Sequence, residues 1–362
     1  MTRRSTPRRL SAGAMAGALA ATALATAVTA QSPSPIITGD RVRLLTHGSF
    51  VMNEAAQEAL TAQTGATLEV IQAEDAGSAV NQAILTRDDP IADVLYGVDD
   101  TFLSRALEAG IFDAYQPPAA AEVPDAFQLD PARRVTPIDY GDVCINVDPG
   151  WFAEHGVAPP STLEDLVRPE YRDLLVVEDP GVSSPGLAFV LATIARFGES
   201  GDRTWLDYWA ELRANGVQVA SSWDDAYYGS FSGSAGQGDR PLVVSYASSP
   251  VAEVYFADPQ PSAAPTSSFV DGCYRQVEFA GVLAGTERPE LARALVDFLL
   301  GPTFQQGIPL DMFVYPVLPQ VELPLVFREH TAGPIDPVTL DPATIAANRD
   351  RWIEEWTQAV LR

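Results

Sequence analysis

The chain contains no lysine, only two cysteines and only three histidines in 362 residues. Its 23 cationic residues are all arginines, set against 48 carboxylates, for a formal charge of −25. Apart from the arginines near the N-terminus there is no basic cluster, which argues against a nucleic-acid partner, since phosphate neutralisation needs grouped cations. His47, His155 and His330 lie far apart, and no closely spaced His/Cys set suggests a metal centre. A phosphate-cradling Walker loop and a Gly-x-Ser-x-Gly nucleophile elbow are also missing, which removes the commonest nucleotide-hydrolysing and esterase readings. Beyond residue 30 no apolar run reaches the roughly 18 residues that a membrane helix needs. The excess of arginine over lysine, with abundant Ala, Pro, Gly and Val, reflects codon composition more than function.

What is present begins with Arg3, Arg4, Arg8 and Arg9, followed by an Ala-rich apolar run from Leu10 to Val28 and the small-residue step Val28-Thr29-Ala30. This pattern predicts a secretory signal peptide over residues 1–30, cleaved before Gln31, with a Ser/Pro linker over 31–40. Cleavage would leave 332 residues with a charge of −29. Arg8-Arg9 leaves the Sec and twin-arginine export routes both open. No cysteine stands at the cleavage site, so a lipid anchor is not expected and the mature chain should be soluble. Cys144 and Cys273, an even pair in an exported chain, predict a disulfide closing a loop of 129 positions.

The body alternates strands and helices. RVRLLTH (41–47), TLEVIQ (67–72) and ADVLYGV (92–98) read as strands, NEAAQEALTAQTG (53–65) as a helix stopped by Gly65, and DDTFLSRALEAG (99–110) as another. Pro/Ala-rich 117–124 reads as a surface loop. A second set follows, with strands at 142–147, 174–177, 217–220, 242–246 and 274–283 and helices at 186–198, 203–216, 289–301 and 344–360. Such alternation predicts an α/β fold with mostly parallel sheets flanked by helices. Trp352 and Trp356, four apart, share the inward face of the last helix.

The local feature with most chemistry occurs twice. Ser183-Ser184-Pro185-Gly186 and Ser248-Ser249-Pro250 each open a helix after a strand, where serine hydroxyls can cap free N–H groups and proline suits the first turn. Ligands of open α/β sheets collect at the carboxyl ends of strands, and such helix starts suit a phosphate or alcohol oxygen. Ser222-Trp223-Asp224-Asp225 lies in an irregular segment and places an indole beside carboxylates, a combination suited to a flat cation. A packing role for Trp223 is equally open on the residues alone. Tyr227-Tyr228 is a candidate ferric dyad that lacks identified co-ligands.

With these residues in view, the chain resembles the thiamine-binding proteins of bacterial thiamine ABC transporters, soluble exported members of the class II periplasmic binding proteins. The resemblance runs from about residue 42 to the end, through AEDAGSAVNQ (73–82), ADVLYGVDDTFL (92–103), TPIDYGDVCINVD (136–148), DPGVSSPGLAF (179–189), SWDDAYYGSF (222–231), LVVSYASSP (242–250), GCYRQVEFAGVL (272–283), FQQGIP (304–309) and FVYPVLP (313–319). It implies a ligand held by Asp75, Ala76, Ser183, Ser184, Trp223, Tyr246, Ala247, Ser248 and Ser249. His47, Ser49, Phe50, Asp99 and Phe313 are further candidates. The ligand implied is thiamine or its mono- or diphosphate, passed to an ABC permease by a monomer without cofactor or metal. The family's Tyr-Asp-Ser-Phe is here His47-Gly48-Ser49-Phe50, a tryptophan expected soon after is absent, and Trp-x-Tyr-Pro becomes Phe313-Val314-Tyr315-Pro316. An Asp-Gly step becomes Asp75-Ala76, and a tyrosine after Ser-Pro becomes Ala252.

The resemblance also implies two lobes, one of residues 40–138 plus 280–362 and one of 139–279, with the cleft between them and hinges near Ile138-Tyr140 and Gly272-Phe279. Two other readings stay open: a receptor of the same fold for ferric iron or a polyamine, and a thiamine-degrading enzyme that needs a cysteine nucleophile.

Overall fold

A computed structural model describes residues 41–233, 236–333 and 335–362. The expected signal peptide and linker lie outside the described residues.

The first wing of the fold comprises β1 (Arg41–Thr46), α1 (Glu54–Thr64), β2 (Thr67–Gln72), α2 (Ala76–Leu85), β3 (Val94–Asp99), α3 (Leu103–Glu108) and β4 (Phe112–Asp113). There follow β5 (Thr136–Val147), α4 (Pro149–His155), β6 (Leu175–Glu178), α5 (Ser184–Phe197), α6 (Trp205–Ala214), β7 (Gln218–Ala220), β8 (Leu242–Tyr246) and α7 (Ser249–Tyr255). The chain ends with β9 (Ser267–Leu283), α8 (Pro289–Leu299), α9 (Pro302–Asp311), β10 (Tyr315–Pro316), α10 (Leu325–His330) and α11 (Pro342–Val360). Helix α1 starts and stops as its sequence dictates. The Asn53 side chain accepts from Ala56 N, and Gly65 adopts the left-handed conformation that closes the C-terminus.

All strands join one sheet in the order β2-β1-β3-β9-β5-β8-β6-β7, with β10 added to β5 and β4 to β9. The wings are parallel, β1 with β2 and β3 on one side, β6 with β7 and β8 on the other. Between them the long strands β5 and β9 run antiparallel to each other and to their outer neighbours β8 and β3. The wings are thus one continuous sheet, because β5 and β9 are long enough to serve both. Their pairing slips twice, between Pro137 and Asp139 and between Val143 and Ile145. Bulges of this kind bend and twist a sheet locally.

Alternation along the strands assigns side chains to two cores. Val94 and Tyr96 of β3 join Val42 and Leu44 of β1 beneath α1, α8 and α9, whereas Leu95 joins Leu45 in the larger core on the other face. In that larger core α11 packs on α6 and also on α3. Trp356 meets Trp209 edge-to-face at 5.4 Å, the packing role expected of the two late tryptophans. Cys144 and Cys273 are disulfide-bonded, with Cα atoms 4.4 Å apart across the β5–β9 pair.

Several details depart from the sequence reading. It marks no helix at α2, α4, α9 or α10; the Ala/Gly-rich start of α2 carries little periodic signal. Segment 117–124 is not merely a surface loop: it holds a 3₁₀ turn, Pro118–Glu122, whose Ala120 is buried with Val123 in the smaller core. Small side chains let that turn lie close to the sheet. The expected serine caps are also absent, since neither Ser183 nor Ser248 caps its helix with its side chain.

Candidate functional site

A cavity of about 410 Å³ opens where the strand ends of the two wings meet. From the first wing, His47 and Ser49 reach it after β1, with Asp75 and Ala76 at the start of α2. From the second come Ser184 at the start of α5, Trp223, Tyr246 at the end of β8, and Ser249 opening α7. Phe313, following α9, lines it as well.

Asp75 ties the two wings together. Its Oδ1 accepts from Ala76 N at 2.7 Å, and its Oδ2 accepts from Trp223 N at 3.3 Å. Burial raises its pKa, opposed by the Ala76 N–H and by His47. Trp223 is fixed twice over. Its Nε1 donates to Ser245 Oγ at 2.9 Å, and its ring stacks on Tyr227 with centroids 5.0 Å apart and planes at 17°. Ser245 shares a hydroxyl contact of 2.8 Å with Ser249, whose Oγ also accepts from Tyr246 N. Ser248 instead turns away from the cavity and donates to Phe313 O at 2.6 Å. A π-helical turn, Asp225–Ser230, follows Trp223 and presents Tyr228 to the cavity.

The serine pair at α5 has a different setting from the one expected. The Ser183 hydroxyl is buried facing Asp75, and the Ser184 hydroxyl faces Asp99, both without a partner at ordinary hydrogen-bond length among the described residues. Ser184 reaches the cavity; Ser183 does not.

The cavity floor is acidic. His47 Nε2 lies 3.4 Å from Glu278 Oε2. Burial alone would lower the imidazole, but Glu278, with Asp75 and Asp139, outweighs it and raises the pKa to about 9. Glu278 also accepts from Gln276, which receives the Tyr246 hydroxyl at 3.2 Å. Tyr96 donates to Asp139, whose carboxyl is pushed well above the usual range by burial and by Glu278. Behind the start of α5, burial holds Glu178 well above that range too, with Asp75 adding to the effect. Among the described residues no arginine lines the cavity, so His47 is its one cationic side chain.

Two glycines permit this geometry. Gly97, at φ +88° in the β3 irregularity, lies where a Cβ would meet the His47 ring at 2.3 Å. Gly141 leaves room for the Tyr246 ring, which a Cβ would meet at 2.6 Å.

Of the residues that the resemblance puts against the ligand, Asp75, Ala76, Ser184, Trp223, Tyr246 and Ser249 line the cavity, together with His47, Ser49 and Phe313. Tyr227, Tyr228 and Ala252, singled out on other grounds, line it too. Ser183, Ser248, Phe50, Asp99 and Ala247 do not. Phe50 packs in the smaller core against Tyr96 and Phe304, Asp99 is buried accepting from Thr101, and Ala247 lies buried beside the disulfide. Sequence reasoning missed Tyr96, Glu253, Phe256, Glu278 and Met312. Glu278 carried one usable signal, a lone carboxylate inside an apolar strand.

A family model for bacterial extracellular solute-binding proteins matches residues 89–332. The chain belongs to that family. The thiamine-binding periplasmic protein of Escherichia coli K12 is 30% identical over 334 residues, covering 91% of this binding protein and 96% of its relative. A solved periplasmic thiamin binding protein aligns with a TM-score of 0.77 at 27% identity, covering 91% of this chain and 100% of the other. A periplasmic binding protein from Actinobacillus pleuropneumoniae, with fructose-6-phosphate bound, shares the fold at a TM-score of 0.74 and 19% identity over 90% and 99% of the two chains. The solute-binding protein therefore has the α/β fold of the class II periplasmic binding proteins.

Proposed function

We propose that this chain is an exported receptor that captures thiamine and presents it to an ABC permease. The observation that carries this reading is the pairing, in one cavity, of a rigid Trp223–Tyr227 stack with carboxylates and no arginine. A flat organic cation gains from the indole face left free by the stack and from nearby negative charge. The names of the E. coli relative and of the solved thiamin binding protein point the same way. The thiamine hydroxyethyl end, or the phosphate of an ester, would lie against Ser184 and the α5 start, since the first N–H groups of a helix have no intrahelical acceptor.

In this reading the wings act as two lobes, 40–138 plus 280–362 and 139–279, that close over the ligand. The irregular β5–β9 pairing favours bending there, while α11, which touches both wings, moderates it. The closed shape is what the permease recognises, and the receptor works as a monomer without covalent chemistry.

The competing readings have less support. Cys144 and Cys273 are the chain's two cysteines and are bonded to each other, so a thiamine-cleaving thiolate has no residue to provide it. The Tyr227 hydroxyl donates to Glu253 at 2.6 Å, and the Tyr227 and Tyr228 rings stand at 83°, a poor start for a ferric dyad. Isothermal titration calorimetry of the mature protein with thiamine, its monophosphate and its diphosphate tests the reading. Binding at micromolar affinity or tighter is expected for at least thiamine, and no heat with any of the three refutes it.

A further inference from the structure

Phe256 is the most exposed aromatic ring among the described residues, 72% open to solvent, yet it lines the cavity. It follows α7, and its N–H donates to Ala252 O at 3.0 Å, so helical geometry continues through it. Residues four apart share a helix face, and Ala252 lines the same cavity. Ala252 is also the position where the thiamine-binding resemblance carries a tyrosine. The aromatic ring missing at 252 therefore has a counterpart one turn further on.

Phe256 is not alone at this rim. Its ring meets Phe313 edge-on, with centroids 5.5 Å apart and planes at 65°, and Tyr255 lies within 5.9 Å of Phe313. Phe313 is itself held in the left-handed region at φ +56°, a conformation that costs a side-chain-bearing residue energy. The Ser248 hydroxyl pins its carbonyl there. The two rings come from different wings: α7 follows β8, whereas Phe313 follows α9, whose Phe304 and Ile308 sit in the core beneath β1 and β3. A ligand ring placed against them would touch both wings and cover an apolar face now in water.

We propose that Phe256 is a ligand-contacting residue: with Phe313 it forms the apolar wall that receives the ligand's aromatic ring, in place of the ring absent at Ala252. This rests on the thiamine reading above. Because Phe256 is exposed, its removal leaves the unliganded fold intact, and its effect is confined to binding.

Calorimetry with thiamine as the probe tests this on wild type, Phe256→Ala and the double variant Ala252→Tyr/Phe256→Ala, with thermal melts of each unliganded protein as the folding control. Phe256→Ala should weaken binding about threefold to tenfold, the range for loss of one aromatic contact. The double variant should recover most of that loss, and the unliganded melts should coincide. Unchanged affinity in Phe256→Ala overturns the proposal while leaving the thiamine reading intact. A double variant as weak as the single one also overturns it, since the ring would then not be interchangeable along the helix face. Wild-type protein that binds no thiamine removes the reading and the proposal together.

Discussion

Replacing both cysteines by alanine, Cys144→Ala/Cys273→Ala, removes a cross-link whose worth follows from its loop length. The bridge closes 129 positions, and chain-entropy theory assigns such a loop about 5 kcal/mol of denatured-state restriction. Both residues are buried among Ala247, Ala332 and Ile335, so losing the sulfurs adds a packing cost on the order of 1 kcal/mol. For a body of about 320 ordered residues the unfolding entropy is near 0.7 kcal/mol/K, which converts the total to a fall in melting temperature of about 7–9 °C. Substitution is preferable to reduction, because a reductant reaches buried sulfurs only through unfolding. Scanning calorimetry measures the fall, and titration calorimetry in parallel should show unchanged thiamine affinity, since neither cysteine lines the cavity. A fall smaller than about 2 °C would refute the loop-closure argument, because native β5–β9 pairing survives in both proteins and cannot mask it.

Trp223→Ala should weaken thiamine binding by about 1–2 kcal/mol through loss of the indole face; titration at equal affinity would make Trp223 a packing residue. His47→Gln should flatten the pH dependence of stability. The folded-state pKa near 9 lies above the ordinary 6.5, so the contribution of His47 is complete below pH 6.5 and fades as pH rises through 9. It amounts to at most on the order of 3 kcal/mol. Urea unfolding of wild type and variant at pH 6, 8 and 10 reads the difference, and parallel profiles would contradict the His47–Glu278 pairing. Trp356→Ala should cost about 3–5 kcal/mol in urea unfolding, whereas Trp356→Phe should be mild, because the indole N–H has no partner to lose.

Much of this molecule was legible from local pattern. The alternation of β1, α1, β2 and β3 shows as short apolar strand runs around a helical segment punctuated by Asn53 and Gly65, which cap a helix wherever it is placed. The pairing of Cys144 with Cys273 followed from their number and the export signal, because two thiols in an oxidising compartment have one partner each. The positions around Ser184 and Ser249 stood out because strand-to-helix junctions are local features, and Trp223 because an indole in an irregular segment is, whereas Asp75 came from the resemblance alone.

The remainder depended on tertiary contact. The double-length strands β5 and β9 could not be read at full length, since Thr136–Tyr140 and Ser267–Gly272 carry little strand signal of their own: the first pairs with Val277–Ala280 and the second, through Ser267–Phe269, with Ile145–Val147. The serine hydroxyls at α5 looked like caps in sequence, but the fold buries them against Asp75 and Asp99. The charge of His47 is likewise a property of assembly: it depends on Glu278, which lies 231 positions later and is brought to 3.4 Å only when β9 enters the sheet beside β3. Sequence determines which groups exist and which local conformations are cheap. The distances that set a pKa, face a cavity with Phe256 or leave a carboxylate without an arginine are decided by strand order, which no local pattern encodes.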